Sequence, residues 1–272
     1  MRITVVAPSC RIPPETAERV AALAAAHFPQ VELVFHPQCF LSDGHFAGPD
    51  AARADAFVEA ANDPAFDALW FARGGYGSNR ALNGVLPRLG EAARTKTYLG
   101  YSDAGFMLGA LYAAGIGRPV HGPMPGDINR AGGEAAVLRS LAWLATGDPR
   151  SLEPSLADGR PAAAFNLTIL SHLLGTPWAP DLSGHVLMLE EIGEYMYRID
   201  RALFHVTADA GVRHIAGLKL GRCSDIPEND PDFVRNEEQV AREWCERHGI
   251  PWLGRADIGH DIDNKLVPFG RP

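Results

Sequence analysis

The stretch Thr97-Tyr98-Leu99-Gly100-Tyr101-Ser102-Asp103-Ala104-Gly105 decides how this chain is read. A run fit for a buried strand, Thr97–Tyr101, stops at small residues. A serine stands at the break, and a helix-like run follows to Ala114. A hydroxyl at a strand-to-helix turn is how α/β hydrolytic enzymes present a nucleophile. A second break, Ala72-Arg73-Gly74-Gly75-Tyr76-Gly77, closes the strand-like run Ala68–Ala72. Its glycines let backbone N–H groups come close to a ligand. Together the two breaks suggest a nucleophile and part of an oxyanion hole.

The same alternation extends outward. Ile3–Ala7, Val31–Phe35 and Pro119–His121 read as strands. Helices are expected from Pro14 to about His27, over Asp50–Asn62, Ser78–Leu89 and Glu134–Ala145. Strands and helices in turn imply a parallel sheet covered on both faces, with ligands at the carboxyl ends of the strands. Thr146–Ala163 is rich in Gly, Pro, Asp and Ser and reads as a connection. The expected division is an α/β domain over residues 1–148 that carries the serine, a linker over 149–163, and a second domain over 164–272. That second part offers a helix at Asn166–Leu174, an apolar strand at His185–Leu189, helices at Tyr195–Ala210 and Pro231–His248, and short strands at Ile215–Leu220, Pro251–Arg255 and Lys265–Phe269.

The 272 residues are 46% hydrophobic and 21% charged, enough apolar content for a sizeable core. The formal net charge of -8 repels phosphate backbones, so nucleic acid is not an expected partner. Cys10, Cys39, Cys223 and Cys245 are far apart and form no CxxC pair, which fits reduced thiols in a cytoplasmic protein rather than a zinc cage. The opening apolar run is too short for a signal-peptide core, and nothing approaches a membrane span of ~18 residues.

Ser102 needs a base, or else it is an ordinary helix cap. Of ten histidines, His121 and His260 lie at strand ends or in loops that can line a cleft. The run Val186–Leu189 is wholly apolar and ends in Glu190-Glu191, so a carboxylate emerges where the strand leaves the core. His260 with Asp261 and Asp263 is the only acidic cluster near a histidine, a weak metal set; no metal and no cofactor is expected.

These residues together resemble the LD-carboxypeptidases, a family of serine peptidases. The resemblance runs through Val5-Val6-Ala7-Pro8-Ser9, Arg73-Gly74-Gly75-Tyr76-Gly77, Gly100-Tyr101-Ser102-Asp103, His121-Gly122-Pro123, Leu189 to Glu194, Tyr197 to Arg201, and Gly259-His260. It implies a Rossmann-like or flavodoxin-like parallel-sheet amino-terminal domain and a smaller α/β carboxyl-terminal domain with a mixed or barrel-like sheet. It implies a triad of Ser102, Glu190 and His260 and no metal; in that mechanism the oxyanion is expected to be held by the N–H groups of Asp103 and of one glycine of the Gly74-Gly75 turn, with Gly75 preferred. It also implies a homodimer, a cytoplasmic setting, and a murein tetrapeptide as substrate, from which terminal D-alanine is released. A related activity in the family is microcin self-immunity, cleavage of an amide in an aminoacyl-nucleotide analogue. Tyr76, Asn166 and Arg198 are the substrate-binding candidates. For Arg198 the alternative is an ion pair with Glu194, four residues earlier on the same helix. The chain departs from the family in having Ala164-Phe165-Asn166 for Gly-Gly-Asn and Glu190-Glu191 for Glu-Asp, and it is short for the family.

Overall fold

The structure, a computed structural model, describes residues 1–271. Its first sheet is built from β1 (Arg2–Val6), β2 (Glu32–Phe35), β3 (Ala68–Phe71), β4 (Thr97–Gly100), β5 (Arg118–His121) and β10 (Val267–Pro268). The order is β2-β1-β3-β4-β5-β10. The first five strands are parallel; β10 runs antiparallel to β5, with Val267 opposite His121. This is a doubly wound order that reverses between β1 and β3, and a crevice opens at such a reversal beyond the carboxyl ends of the strands.

Side chains alternate across this sheet. Ile3, Val5, Ala68 and Trp70 face α1 (Pro14–His27) and α5 (Glu134–Thr146), giving one apolar layer. Leu69, Phe71 and Tyr98 face α2 (Asp50–Asn62), α3 (Ser78–Val85) and α4 (Gly105–Ala113), giving the other. β3 and β4 are buried at every position, as strands covered on both faces must be.

A second sheet has the order β6-β7-β8-β9, from β6 (Ala162–Asn166), β7 (Val186–Ile192), β8 (Gly217–Ser224) and β9 (Trp252–Arg255). All its pairings are parallel, so the mixed sheet is the first one, not this one. α6 (Leu167–Leu173), α7 (Met196–Ala208) and α8 (Glu237–His248) cover one face. Leu156, Ile258 and Val267 close the other. α4 is buried along most of its length because its outer side packs on α6. Through it, one apolar core runs from the first sheet into the second. Two expected elements differ. The segment before Asn166 is strand from Ala162 onward, and α8 begins at Glu237, where Asn236 caps it in a box with Gln239. Among the described residues no helix is long and apolar enough to cross a membrane.

Candidate active site

The carboxyl ends of β3, β4, β5 and β7 surround a cavity of about 490 Å³, within the range of small-molecule sites. Gly74, Gly75, Ser102 and His260 line it, together with Arg73 and Arg130. Ser102 stands one residue beyond β4, after Tyr101, at φ 61°, in the left-handed region. This sharp turn keeps the hydroxyl at the cavity instead of over the new helix.

Two groups fix that turn. A Cβ on Gly74 would lie 2.8 Å from Ser102 Oγ, so only glycine lets the β3 turn pack against the serine. Gly75 stands at φ 117°, over the sulfur of Cys10, in a conformation side chains rarely adopt. The buried Asp103 carboxylate then pins the two turns to each other. It accepts from Ser9 Oγ at 2.5 Å, from Ser78 N at 2.8 Å and from Gly77 N at 3.3 Å. Ser78 Oγ returns a bond to the Asp103 carbonyl at 2.6 Å. The side chain of Asp103 is thus a staple, and its backbone stands beside Ser102.

The other half comes from the second sheet. Glu190 is fully buried at the end of β7, and its Oε2 lies 2.5 Å from His260 Nδ1. His260 Nε2 has no hydrogen-bond partner among the described residues. Burial alone would lower the imidazole pKa, but the charge and hydrogen bond of Glu190, with Glu191 and Asp127 behind, hold it above the ordinary 6.5. The loop carrying His260 is held from outside. Arg222 donates to Asp261 and, at 2.6 Å, to Asp257; Arg139 donates to the carbonyls of Ile262 and Asn264 at 2.7 and 3.0 Å. The β7–β8 register slips between Leu189 and Glu191, and this irregularity brings Arg222 N to the Ile258 carbonyl at 2.8 Å.

Glu191 faces the other way. Its Oε1 accepts from Asn166 Nδ2 at 2.7 Å and from Ile192 N at 2.9 Å. Its Oε2 accepts from Thr168 N at 2.9 Å and Thr168 Oγ1 at 2.7 Å. Asn166 is in turn the N-cap of α6, its Oδ1 taking Ile169 N at 3.1 Å.

Of the residues singled out in the sequence, Ser102, His260 and Gly75 line the cavity, Glu190 stands behind His260, and Asp103 lies beside Ser102. The structure does not bring the three substrate-binding candidates there. Asn166 is committed to α6 and Glu191. Tyr76 lines an adjoining apolar cavity of about 520 Å³ with Trp178 and Phe106. Arg198 sits half-exposed on α7, pairing with Glu194 at 3.2 Å, because the helix turns that face to solvent. From the sequence alone Ser9 and Asp127 carry no role, and Arg130 is not singled out, although it lies in the connection after β5, at the ligand end of the sheet. His121, the other histidine singled out in the sequence, does not line the cavity: it is buried with its ring edge-on to Tyr101, and burial lowers its pKa to about 4, so it stays neutral.

Comparisons with known proteins agree with this architecture. Residues 3–122 match the LD-carboxypeptidase N-terminal domain, and residues 162–272 match the LD-carboxypeptidase C-terminal domain. A Synechocystis protein with a carboxypeptidase name is 31% identical over 88% of this chain and 79% of its own length. The murein tetrapeptide carboxypeptidase of Pseudomonas aeruginosa is 25% identical over 99% of this chain and 91% of its own. The fold is shared with the muramoyltetrapeptide carboxypeptidase of Oxalobacter formigenes, at TM-score 0.80 and 23% identity over 99% and 93% of the two chains. A microcin self-immunity protein superposes at TM-score 0.77 with 18% identity over 100% and 96%. The chain belongs to the LD-carboxypeptidase family and is a serine-type carboxypeptidase.

Proposed function

We propose that this carboxypeptidase hydrolyses the L,D amide bond of a murein tetrapeptide in the cytoplasm, releasing terminal D-alanine through an acyl-enzyme on Ser102. The observation that carries the reading is the buried His260, tied to Glu190 through Nδ1 and with Nε2 unengaged, in the same cavity as the Ser102 hydroxyl.

His260 Nε2 takes the Ser102 proton as Oγ attacks the scissile carbonyl, and the carbonyl π electrons move onto oxygen. The N–H groups of Gly75 and Asp103 receive that oxyanion; each such donor is worth ~3 kcal/mol in the transition state. Collapse expels the D-alanine amine, which takes the proton from His260. Water, deprotonated by the same imidazole, then frees the acyl group and returns the hydroxyl to Ser102. Glu190 fixes the tautomer and stabilises the imidazolium. The Asp103 staple supports this role by keeping the two donor turns in register before substrate arrives.

The test is mass spectrometry of purified murein tetrapeptide incubated with wild type and with Ser102→Ala. Loss of one alanine with wild type only is expected; an unchanged tetrapeptide overturns the proposal. The apolar cavity beyond Gly75, walled by Tyr76 and Trp178, favours a second reading, an amide substrate bearing a nucleobase. An aminoacyl sulfamoyl adenylate assayed in parallel separates the two. A homodimer belongs to the same proposal, and light scattering checks it.

A further inference from the structure

A carboxypeptidase must tell a chain end from an interior peptide bond. The distinguishing group is the terminal carboxylate, about one residue, ~3.8 Å in Cα spacing, beyond the scissile amide. A cation that reads it must therefore share the cavity with the nucleophile. This protein carries a net charge of -8, so its overall field opposes an anionic substrate and the attraction has to be local.

Two guanidinium groups line the cavity, those of Arg73 and Arg130. Arg73 is exposed. Arg130 is anchored. Its Nε donates to Asp127 Oδ1 at 3.1 Å, and its side chain stays 38% exposed. Asp127 is buried and already satisfied: its Oδ1 also takes the Tyr101 hydroxyl at 2.7 Å, and its Oδ2 takes Met124 N at 2.8 Å. The Tyr101 ring lies 4.8 Å, centroid to centroid, from the His260 imidazole. The guanidinium is thus placed next to the base by a buried carboxylate and a buried phenol. The Tyr101 hydroxyl oxygen also lies close to the guanidinium, and among the described residues the one well-formed hydrogen bond of the side chain is that of Nε to Asp127. That leaves the end-on fork, the geometry that holds a carboxylate with two parallel bonds.

We infer that Arg130, oriented by Asp127 and Tyr101, binds the terminal carboxylate of the substrate and so gives the enzyme its requirement for a free chain end. The inference rests on the carboxypeptidase reading above and adds the residue that sets its specificity. Lysine at this position would keep the charge but lose the fork.

The experiment compares a synthetic tetrapeptide ending in D-alanine with the same peptide ending in D-alanine amide. kcat/KM is measured for wild type, Arg130→Ala and Arg130→Lys, and dissociation constants are measured on the Ser102→Ala background. Wild type is expected to prefer the free acid by about tenfold or more. Arg130→Ala should lose that preference, because turnover of the acid falls while turnover of the amide is little changed. Arg130→Lys should fall between, chiefly through KM. Weaker binding of the acid, but not of the amide, should appear on the Ser102→Ala background. An equal loss on both peptides, with or without a lower Tm, overturns the assignment and makes Arg130 a structural partner of Asp127. An unchanged acid-to-amide ratio overturns it too. Wild type that cleaves neither peptide overturns the carboxypeptidase substrate reading itself, a result distinct from a changed ratio.

Discussion

Glu190 and Glu191 are consecutive, both buried and both at the carboxyl end of β7, yet they face opposite sides of the sheet. On one side Glu190 meets a single partner, His260, and its Oε1 has none among the described residues. On the other side Glu191 accepts four hydrogen bonds and locks the start of α6 to the sheet. A saturated carboxylate is a structural joint. One that leaves its charge directed at an imidazole is poised to stabilise a cation. The alternation of side chains along a strand separates these two jobs within one dipeptide.

The widest test of this contrast removes the imidazole. His260→Ala is expected to lower kcat by ~10³-fold or more and to approach the Ser102→Ala defect, since triad members act as a unit. Steady-state kinetics on the tetrapeptide decides it; additive losses in the double variant would break the proposed coupling.

Next comes Glu190→Gln, with an expected ~10²–10⁴-fold loss in kcat and a fold left intact. It also carries a pH signature. Glu190 keeps the His260 pKa above 6.5 against burial, so wild-type kcat/KM should fall as acid protonates the imidazole somewhat above that pH. Without the charge, burial prevails and the acid limb of the profile should move to lower pH. A limb that stays in place would show that Glu190 does not set this ionisation.

Glu191→Gln should reverse the pattern. Each oxygen accepts two donors, and an amide NH₂ would face donors on one side. Loss of roughly 1–3 kcal/mol of stability is expected by thermal or urea denaturation, with kcat changed less than about tenfold. If this variant is the more damaged of the two in kcat at temperatures where it is folded, the roles are exchanged. The smallest effect is expected for Arg198→Ala, which removes an exposed pair with Glu194 and half-exposed contacts to Tyr195 and Tyr197: tetrapeptide kinetics and Tm should both stay close to wild type.

The strand-and-helix order of the first sheet was legible because its strands are continuous apolar runs ended by Gly, Ser or Pro. β6 was not: Ala162-Ala163-Ala164 has no β-branched residue and follows Gly159-Arg160-Pro161, so it reads as connection. It becomes a strand because β7 offers a parallel ladder and both its faces are covered. Likewise the motifs at Ser102, Glu190 and His260 could be marked along the chain, whereas the direction in which α7 turns Arg198 could not. That direction depends on packing against α6 and α8, a long-range property. Arg130 escaped for a similar reason, since Asp127 and Tyr101, which hold it, come from different connections.

The left-handed backbone at Ser102 has a consequence for the history and engineering of this protein. A residue with a Cβ gives up ~1 kcal/mol or more to adopt that conformation. Evolution toward greater thermal tolerance would thus favour replacing the serine with glycine, at the loss of the hydroxyl. Ser102→Gly should be inactive and melt higher than Ser102→Ala, which keeps the Cβ and the strain. Equal melting temperatures would mean that the turn is relaxed by its surroundings. A higher one would mark position 102 as a place where selection for turnover has held the molecule below its attainable stability.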